Sequence, residues 1–333
     1  MSKPIAVLIS DIHFNLNTLE RAAFSLEFAI KKAQHYNVPL IVAGDTLDTK
    51  CVLRAEYVNR LIDIFKEAKG VDTYHLVGNH DLFNEKSNEN ALKFLEPYVS
   101  IVASHKKLYL KNLNNPVYLI PYQSYPQIFI DLLTCIPKSS PIVMHQGVKG
   151  ATAGEYFNDK TAIDVQILAG RRIISGHYHN RQSFKLDEGG SFDFIGNPYT
   201  LGFGEAGDPD KGIQLLMEDL SLEFIPVNLP AHRVVQIDWS TKVLQYPRPF
   251  KPADILKVLV KGFPEQLLKV TKEDLAAILH VDEFTMEPVP ITVDTEAPSS
   301  IYFPPDKLLI QLINNANISQ NQKTRLQELC YKL

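Results

Sequence analysis

The 333-residue chain has few cysteines and no long apolar run. Its three cysteines, Cys51, Cys135 and Cys330, lie far apart without a CxxC pair, which argues against a disulfide framework or a zinc knuckle. No stretch approaches the roughly 18 uncharged apolar residues that a membrane helix needs. The first apolar run is short and ends at Asp11, unlike a signal peptide. We therefore expect no membrane contact and a cytoplasmic location.

The chain also lacks a strong charge of either sign. Its formal net charge is -4 and its pI is near 6.2, so it is not a strongly basic nucleic-acid-binding protein, and any contact with nucleic acid must be local. With 45% hydrophobic and 22% charged residues, the composition is that of an ordinary globular protein. The length allows one large domain and a smaller appended one.

Short apolar runs alternate with amphipathic stretches in the first half of the chain, a pattern that predicts buried strands connected by helices. The predicted strands begin at Ile5, Leu40, Tyr74, Ile142 and Arg172. From about Ser191 the pattern changes to short strands joined by turns, which predicts a second sheet packed on the first. The predicted fold class is α/β.

We divide the chain into four parts. Residues 1–235 form the predicted main domain, and residues 236–287 a small α+β module. Residues 288–305 are rich in proline, which predicts an extended linker. Residues 306–333 carry apolar stripes at helical spacing, which predict two amphipathic helices. These helices either pack on their own chain or bind a partner, and the pattern leaves both possibilities open.

Each of the five predicted strands that begin at Ile5, Leu40, Tyr74, Ile142 and Arg172 ends in residues that bind divalent metals. The five groups are Asp11-Ile-His13, Gly44-Asp45-Thr-Leu-Asp48, Gly78-Asn79-His80-Asp81, His145, and Gly176-His177-Tyr-His179. Because functional crevices of open α/β sheets lie at the carboxyl ends of the strands, we expect these groups to meet in space. Asp-x-His and His-x-His place both side chains on one side of an extended segment. The glycines would let the backbone turn sharply there.

The residue types indicate which chemistry this set performs. Mixed carboxylate and imidazole ligands favour Mn²⁺, Fe²⁺ or Zn²⁺ over Mg²⁺ or Ca²⁺. An Asp shared by two such cations allows them to activate water for displacement at phosphorus. A single histidine at a strand end is usually structural, but an ordered set of five groups is hard to obtain by chance. We therefore predict a two-metal phosphoesterase. The predicted metal ligands are Asp11, His13, Asp45, Asn79, His145, His177 and His179.

The ordered set resembles that of the calcineurin-like metallophosphoesterase superfamily. The resemblance implies a four-layer sandwich of two packed sheets flanked by helices, with Asp45 shared by two metals. The other ligands would be Asp11, His13 and His179 for one metal, and Asn79, His145 and His177 for the other. His80 would lie near the leaving-group oxygen as the catalytic acid. Asp48 would orient His80, although it is alternatively a solvated loop carboxylate.

Segments beyond residue 190 resemble the SbcD-type DNA-repair exonuclease subunits, including their short phage members. They are Ile195-Gly-Asn-Pro-Tyr-Thr-Leu-Gly-Phe-Gly-Glu205, Asp210-Lys-Gly-Ile213 and Arg233-Val-Val-Gln-Ile237. This resemblance implies DNA as the substrate, with Mn²⁺ as our preferred metal and residues 236–287 as a small capping domain. It also implies that the C-terminal helices bind an SbcC-type ABC ATPase and that the chain is a homodimer within the complex. A phage-encoded chain would act in the host cytoplasm.

Two features depart from that family. The loop after Asp48 lacks a proline that the family commonly carries, and the low pI offers no evident DNA-binding face. Arg181 and Tyr178, on either side of His179, are the predicted substrate contacts. Because phosphate contacts dominate non-specific DNA binding, the ATPase would have to supply many of them if the isolated chain binds DNA weakly.

Other functions are compatible with the same motifs. A phosphodiesterase that acts on a small nucleotide would have the same metal ligands, although it would have less use for the capping module and the tail. A non-catalytic interaction module would normally have lost some of the ligands, and here all are present. A protein phosphatase is disfavoured because Asp81 stands where that branch typically carries Glu.

Overall fold

The computed structural model describes residues 2–50, 52–84, 89–152, 159–208, 210–246 and 249–291. Met1–Val289 form one compact unit, and the second unit, Pro290–Leu333, lies almost entirely outside the described residues. The predicted helices of the tail, residues 306–333, fall in that part. No α-helix in the described ranges is both long enough and apolar enough to cross a membrane.

The described residues form sixteen strands and five α-helices. The strands are β1 (Pro4–Ile9), β2 (Leu40–Val42), β3 (Thr73–Leu76), β4 (Ser100–Val102), β5 (Lys106–Leu108), β6 (Val117–Ile120), β7 (Ile142–His145), β8 (Arg172–Gly176), β9 (Gln182–Lys185), β10 (Ser191–Phe194), β11 (Gly212–Met217), β12 (Leu222–Pro226), β13 (His232–Asp238), β14 (Val243–Gln245), β15 (Ile255–Gly262) and β16 (Phe284–Pro290). The helices are α1 (Leu19–Tyr36), α2 (Ala55–Glu67), α3 (Pro126–Thr134), α4 (Pro264–Leu267) and α5 (Lys272–Leu279). Short 3-10 helices lie at Ala91–Leu95, Val165–Leu168, Asp187–Gly189 and Phe203–Glu205.

Two six-stranded sheets make up the main domain. The first has the order β12-β11-β1-β2-β3-β4, in which β1 to β4 are parallel and β11 and β12 are antiparallel additions. The second has the order β5-β6-β7-β8-β10-β9, with four parallel strands between antiparallel edge strands. Helices α1, α2 and α3 connect successive parallel strands, as parallel pairing requires. Within each sheet, the carboxyl ends of the parallel strands therefore lie at the same edge.

Alternating side chains show how the layers pack. In β1, Leu8 lies in the core between the sheets together with Val143 and Ile174 of the second sheet. Its neighbour Ile9 faces the opposite way, into the core beneath α1 and α2. Helix α3 covers the outer face of the second sheet through residues such as Phe129. The order helix, sheet, sheet, helix confirms the predicted four-layer sandwich.

The prediction that the strands after Ser191 form the second sheet together was wrong. Strand β10 joins the second sheet, β11 and β12 extend the first sheet, and β13 belongs to a third sheet. The second sheet consists mainly of strands from earlier in the chain. Strand pairing over long sequence separations depends on packing of the whole domain, which the order of apolar runs does not encode.

A third sheet forms a small α+β module with α4 and α5. Its order is β14-β13-β15-β16, and β13 pairs in parallel with β15 along its full length. Leu275 and Leu279 of α5 pack into the apolar core of this sheet. Because β13 begins at His232, the predicted boundary after residue 235 falls inside this strand. The division of the chain into domains stays a prediction.

Strand β3 buries a histidine in the core. His75 is fully buried, with Nδ1 3.3 Å from Thr46 Oγ1 and its ring edge-on to that of Phe65 at 5.1 Å. Burial lowers the pKa of His75 from 6.5 to about 3, so the ring is neutral in the folded protein at neutral pH. The unfolded chain would accept a proton on this ring at a higher pH.

This difference makes a prediction for acid stability. Because the folded pKa lies below the unfolded one, stability is lost as the pH falls below 6.5. His75 should account for about 3 kcal/mol of the loss in unfolding free energy between pH 7 and pH 4. Between pH 7 and pH 4, the unfolding free energy of His75→Leu should therefore fall by about 3 kcal/mol less than that of the unmodified chain. Urea denaturation with a chelator present measures both. The exposed His105→Leu is the control, and equal losses in all three proteins would contradict the prediction.

Candidate metal centre

The seven predicted metal ligands meet where the carboxyl ends of the two sheets adjoin. The first sheet supplies four of them after β1, β2 and β3: Asp11, His13, Asp45 and Asn79. The second sheet supplies three at the ends of β7 and β8: His145, His177 and His179. Contacts between these side chains cross from one sheet to the other, so the site exists only when both sheets are packed together.

One group of ligand atoms belongs to Asp11, His13 and His179, which each offer an atom within 4.8 Å of the others. The Nε2 atoms of His13 and His179 lie 3.1 Å apart. Two imidazole nitrogens at this distance need a proton or a cation between their lone pairs. The group therefore fits a divalent metal.

A second group belongs to Asp45, His145 and His177. His145 Nε2 lies 3.2 Å from Asp45 Oδ2 and 3.1 Å from Asn79 Oδ1, and His177 Nδ1 lies 2.8 Å from the same Asn79 oxygen. Asp45 Oδ2 is also 3.9 Å from His13 Nε2 in the first group. Asp45 thus lies between the two groups, where a shared ligand would have to be.

Charge interactions in the site favour a bound cation. Burial, the largest effect, would raise the pKa of Asp45, yet His145 and the other nearby histidines hold that pKa well below its usual range. Burial would lower the pKa of His145, but Asp45 raises it to about 9. The negative charge that stabilises this imidazolium would equally stabilise a divalent cation, and carboxylate, amide and imidazole ligands suit a transition metal.

The backbone at four predicted ligands is left-handed. The φ angles are 53° at Asp11, 51° at His13, 52° at Asp45 and 86° at His177. Such values are uncommon outside glycine, cost on the order of 1 kcal/mol each and concentrate at functional sites. The prediction that Asp11 and His13 converge because their segment is extended was therefore wrong about the geometry. They converge because the loop turns.

Glycines allow the loops of the site to approach each other. A Cβ on Gly78 would lie 2.1 Å from Asp45 Oδ1, and a Cβ on Gly44 would lie 2.2 Å from His145 Nδ1. Gly44 also has a positive φ of 98°, in line with a sharp turn. At Gly78 the reason for glycine is close approach and not a turn, since its φ is not positive.

His80 lies beside the two groups. Its backbone N–H donates to Asp45 Oδ1 at 2.9 Å, and its Nδ1 lies 2.6 Å from the backbone carbonyl oxygen of Asp48. Nδ1 therefore carries the proton, and Nε2 is the nitrogen left for a substrate. The Asp48 carboxylate instead lies 3.4 Å from His13 Nδ1, and its pKa is lowered chiefly by His13. The hydrogen bond between Asp48 and His80 thus runs through the main chain, and the Asp48 carboxylate offers an oxygen within 4.8 Å of His13 and His80.

Asp81 joins two of the loops that carry ligands. Its fully buried carboxylate accepts the backbone N–H groups of Leu47 and Gly78, each at 2.9 Å. Burial and the charge of Asp45 raise the pKa of Asp81 to about 7. Sequence reasoning placed Asp81 in the third strand-end group and used it to disfavour a protein phosphatase, but it missed this role.

Sequence reasoning also missed two carboxylates, each of which contacts one ring nitrogen of a site histidine. Asp159 Oδ2 lies 3.1 Å from His177 Nε2, and Glu205 Oε1 lies 2.7 Å from His179 Nδ1. Although burial opposes it, bonds from these histidines help to hold the pKa of each carboxyl below its usual range. Carboxylates of this kind fix the ring orientation of metal-binding histidines. Glu205 stands in a segment already singled out, whereas no motif marks Asp159.

The two predicted substrate contacts are engaged with the protein itself. Arg181 Nη2 lies 2.6 Å from Asp210 Oδ2, and its guanidinium lies 4.6 Å from the ring centroid of Phe224. Tyr178 is 4% exposed, and its ring stacks on that of Phe194 at 4.7 Å. Arg181 remains one-third exposed, so it is the more accessible of the pair.

Parts of this chain are similar to known proteins. The family model described as calcineurin-like phosphoesterase matches residues 6–181. Among curated proteins, the chain is similar to exonuclease subunit 1 of Enterobacteria phage T4, with 24% identity over 207 residues. That match spans 60% of this chain and 59% of the phage protein, which is less than two thirds of its length.

Solved structures give more distant matches. A dimetal phosphatase from Danio rerio has a TM-score of 0.41 and 13% identity, over 59% of this chain and 88% of its own. A 5′-nucleotidase precursor from Thermus thermophilus has a TM-score of 0.36 and 13% identity, over 58% of this chain and 48% of its own.

The close approach at Gly78 generates a prediction. Gly78→Ala should weaken Mn²⁺ binding by about tenfold or more, because the added Cβ would displace the Asp45 carboxylate. Isothermal titration calorimetry on the full chain measures the affinity. Gly207→Ala is the matched control, since a Cβ there meets nothing within 4 Å and φ is not positive. Unchanged affinity in Gly78→Ala would show that Asp45 is not a ligand.

Proposed function

Because the chain belongs to the calcineurin-like phosphoesterase family, we propose that it is a metal-dependent nuclease that hydrolyses phosphodiester bonds of DNA. The observation that carries the proposal is the convergence of Asp, Asn and His side chains from two sheets around Asp45. The similarity to a phage exonuclease subunit supports a nucleic acid as the substrate. We propose exonuclease and endonuclease activity in the cytoplasm, in recombination, repair or replication.

The metal centre of this proposal has two divalent ions, with Mn²⁺ as the preferred metal. We assign Asp45 to both ions. The remaining assignments are Asp11, His13 and His179 to one ion, and Asn79, His145 and His177 to the other. Two such ions would supply Lewis-acid stabilisation of the phosphate and would lower the pKa of water. The distances between the side chains suit this division, because each group is compact and Asp45 lies between them.

His80 is the proposed catalytic acid. The Asp48 carbonyl holds its Nδ1, and Asp45 holds its backbone N–H, so the ring is fixed beside the metal ligands. Its Nε2, once protonated, can donate a proton to the oxygen that leaves phosphorus. The ring lies 4.9 Å from that of His13, between centroids, which keeps the acid next to the metal centre.

The leaving group offers a test of this role. With Mn²⁺, the protein should degrade end-labelled linear duplex DNA, and His80→Ala should lower the rate by about 10²–10⁴. The loss should be smaller on bis-p-nitrophenyl phosphate, because nitrophenolate leaves without protonation. The exposed His35→Ala is the control, and Asp45→Ala should abolish both activities.

Several outcomes would contradict the proposal. DNA degradation that survives both His80→Ala and Asp45→Ala would contradict the mechanism. Equal losses on both substrates in His80→Ala would contradict its role as the acid. Hydrolysis of the small diester without action on DNA, even with the ATPase present, would favour a small phosphodiester as the substrate.

We further propose that residues 306–333 bind an SbcC-type ABC ATPase and that the chain acts as a homodimer in that complex. The net charge of -4 supports a partner that supplies phosphate contacts. Deletion of residues 306–333 should abolish co-purification with the ATPase and spare hydrolysis of the small diester. Retained co-purification would contradict a partner-binding role for the tail.

A further inference from the structure

The carboxylate of Glu205 accepts hydrogen bonds from His179 and from several neighbouring donors. Besides His179 Nδ1 at 2.7 Å, it accepts bonds from Asn197 Nδ2 at 3.0 Å and from the Leu201 N–H at 3.1 Å. Its side chain is 15% exposed, so these partners replace water almost completely. A carboxylate held by so many donors cannot rotate away from His179 at low cost.

The bond to Glu205 decides which nitrogen of His179 faces the site. A carboxylate accepts a hydrogen bond, so Nδ1 must carry the proton. The lone pair of the neutral ring then lies on Nε2, which points toward His13 Nε2 at 3.1 Å. Without Glu205, either nitrogen could carry the proton and the ring could turn about its χ2 angle.

Lys211 stabilises the contact between Glu205 and His179. Its Nζ lies 3.0 Å from Glu205 Oε2, 2.7 Å from Asp208 Oδ2 and 3.2 Å from the backbone oxygen of His179, and it also donates to Asn197. At 7% exposure this ammonium is a buried charge that needs both carboxylates. The lysine therefore fixes the Glu205 side chain and the His179 main chain together.

The turn that carries Glu205 is also attached to the third sheet. The Phe203 ring lies edge-on to His232 of β13 at 4.9 Å, and Lys257 Nζ of β15 lies 5.8 Å from its centroid. Arg233 of β13 donates to the Ala206 carbonyl at 3.4 Å. The Phe203–Glu205 turn thus contacts a site histidine on one side and the third sheet on the other.

We propose that Glu205 is a positioning residue for His179, fixed in place by Lys211 and by the contact of Phe203 with the third sheet. The inference rests on the proposed two-metal centre. It assigns a function to the segment between β10 and β11, and it connects the third sheet to the metal centre through Phe203.

The test is Mn²⁺ binding to the full chain, measured by calorimetry without DNA. Glu205→Ala should weaken one of two Mn²⁺ sites about 10–100-fold. Glu205→Gln should lose clearly less, because its amide oxygen still accepts the Nδ1–H bond. Phe203→Ala should weaken the same site by a smaller factor. The exposed Glu223→Ala is the matched control, and circular dichroism checks the fold of each variant.

A second readout reports on the ring itself. In ¹⁵N spectra of histidine-labelled protein, the Nδ1–H form of His179 should persist in Glu205→Gln and be lost in Glu205→Ala. Wild-type affinity in Glu205→Ala, or equal losses in the two Glu205 variants, would overturn the positioning role. Absence of saturable Mn²⁺ binding in the unmodified chain would overturn the two-metal centre as well, whereas absence of DNA cleavage alone would overturn only the proposed substrate.

Discussion

A buried carboxylate at the junction of two sheets constrains the whole site. Asp45 is 2% exposed, and its oxygens contact His145 from the second sheet and the backbone of His80 from the first. An unpaired charge at such a place would cost several kcal/mol. Loops from both sheets must therefore bring hydrogen-bond donors and positive charges to Asp45. Gly78 allows this approach, because a Cβ at that position would collide with the Asp45 carboxylate. The left-handed loops and the cluster of histidines around Asp45 meet this requirement.

Much of the site could be predicted from the sequence because its ligands are local to strand ends. A buried strand appears as an apolar run, and the residues after it must lie at one edge of the sheet. That reasoning found Asp11, Asp45 and His177 without knowledge of strand order, since every parallel strand delivers its ligands to the same edge. The four layers followed from the family resemblance. Which strands belong to which sheet could not be predicted from the sequence, because β11 pairs with β1 across some 200 residues of chain.

The parts that sequence reasoning missed depend on distances between remote residues. Asp159 and Glu205 follow no strand-end pattern, yet each supports a site histidine through its outer ring nitrogen. His80 Nδ1 is bonded to the main-chain oxygen of Asp48, a contact that no residue type can reveal. The left-handed backbone at Asp11 also lies beyond pattern reasoning, because only the surrounding packing can hold a non-glycine residue there.

Anomalous scattering from crystals of the full chain soaked in Mn²⁺ would locate the metal centre. We expect two manganese peaks. One should lie against Asp11, His13 and His179, the other against Asn79, His145 and His177, and both within reach of Asp45. A single peak distant from Asp45, or no peak at a saturating Mn²⁺ concentration, would contradict this expectation.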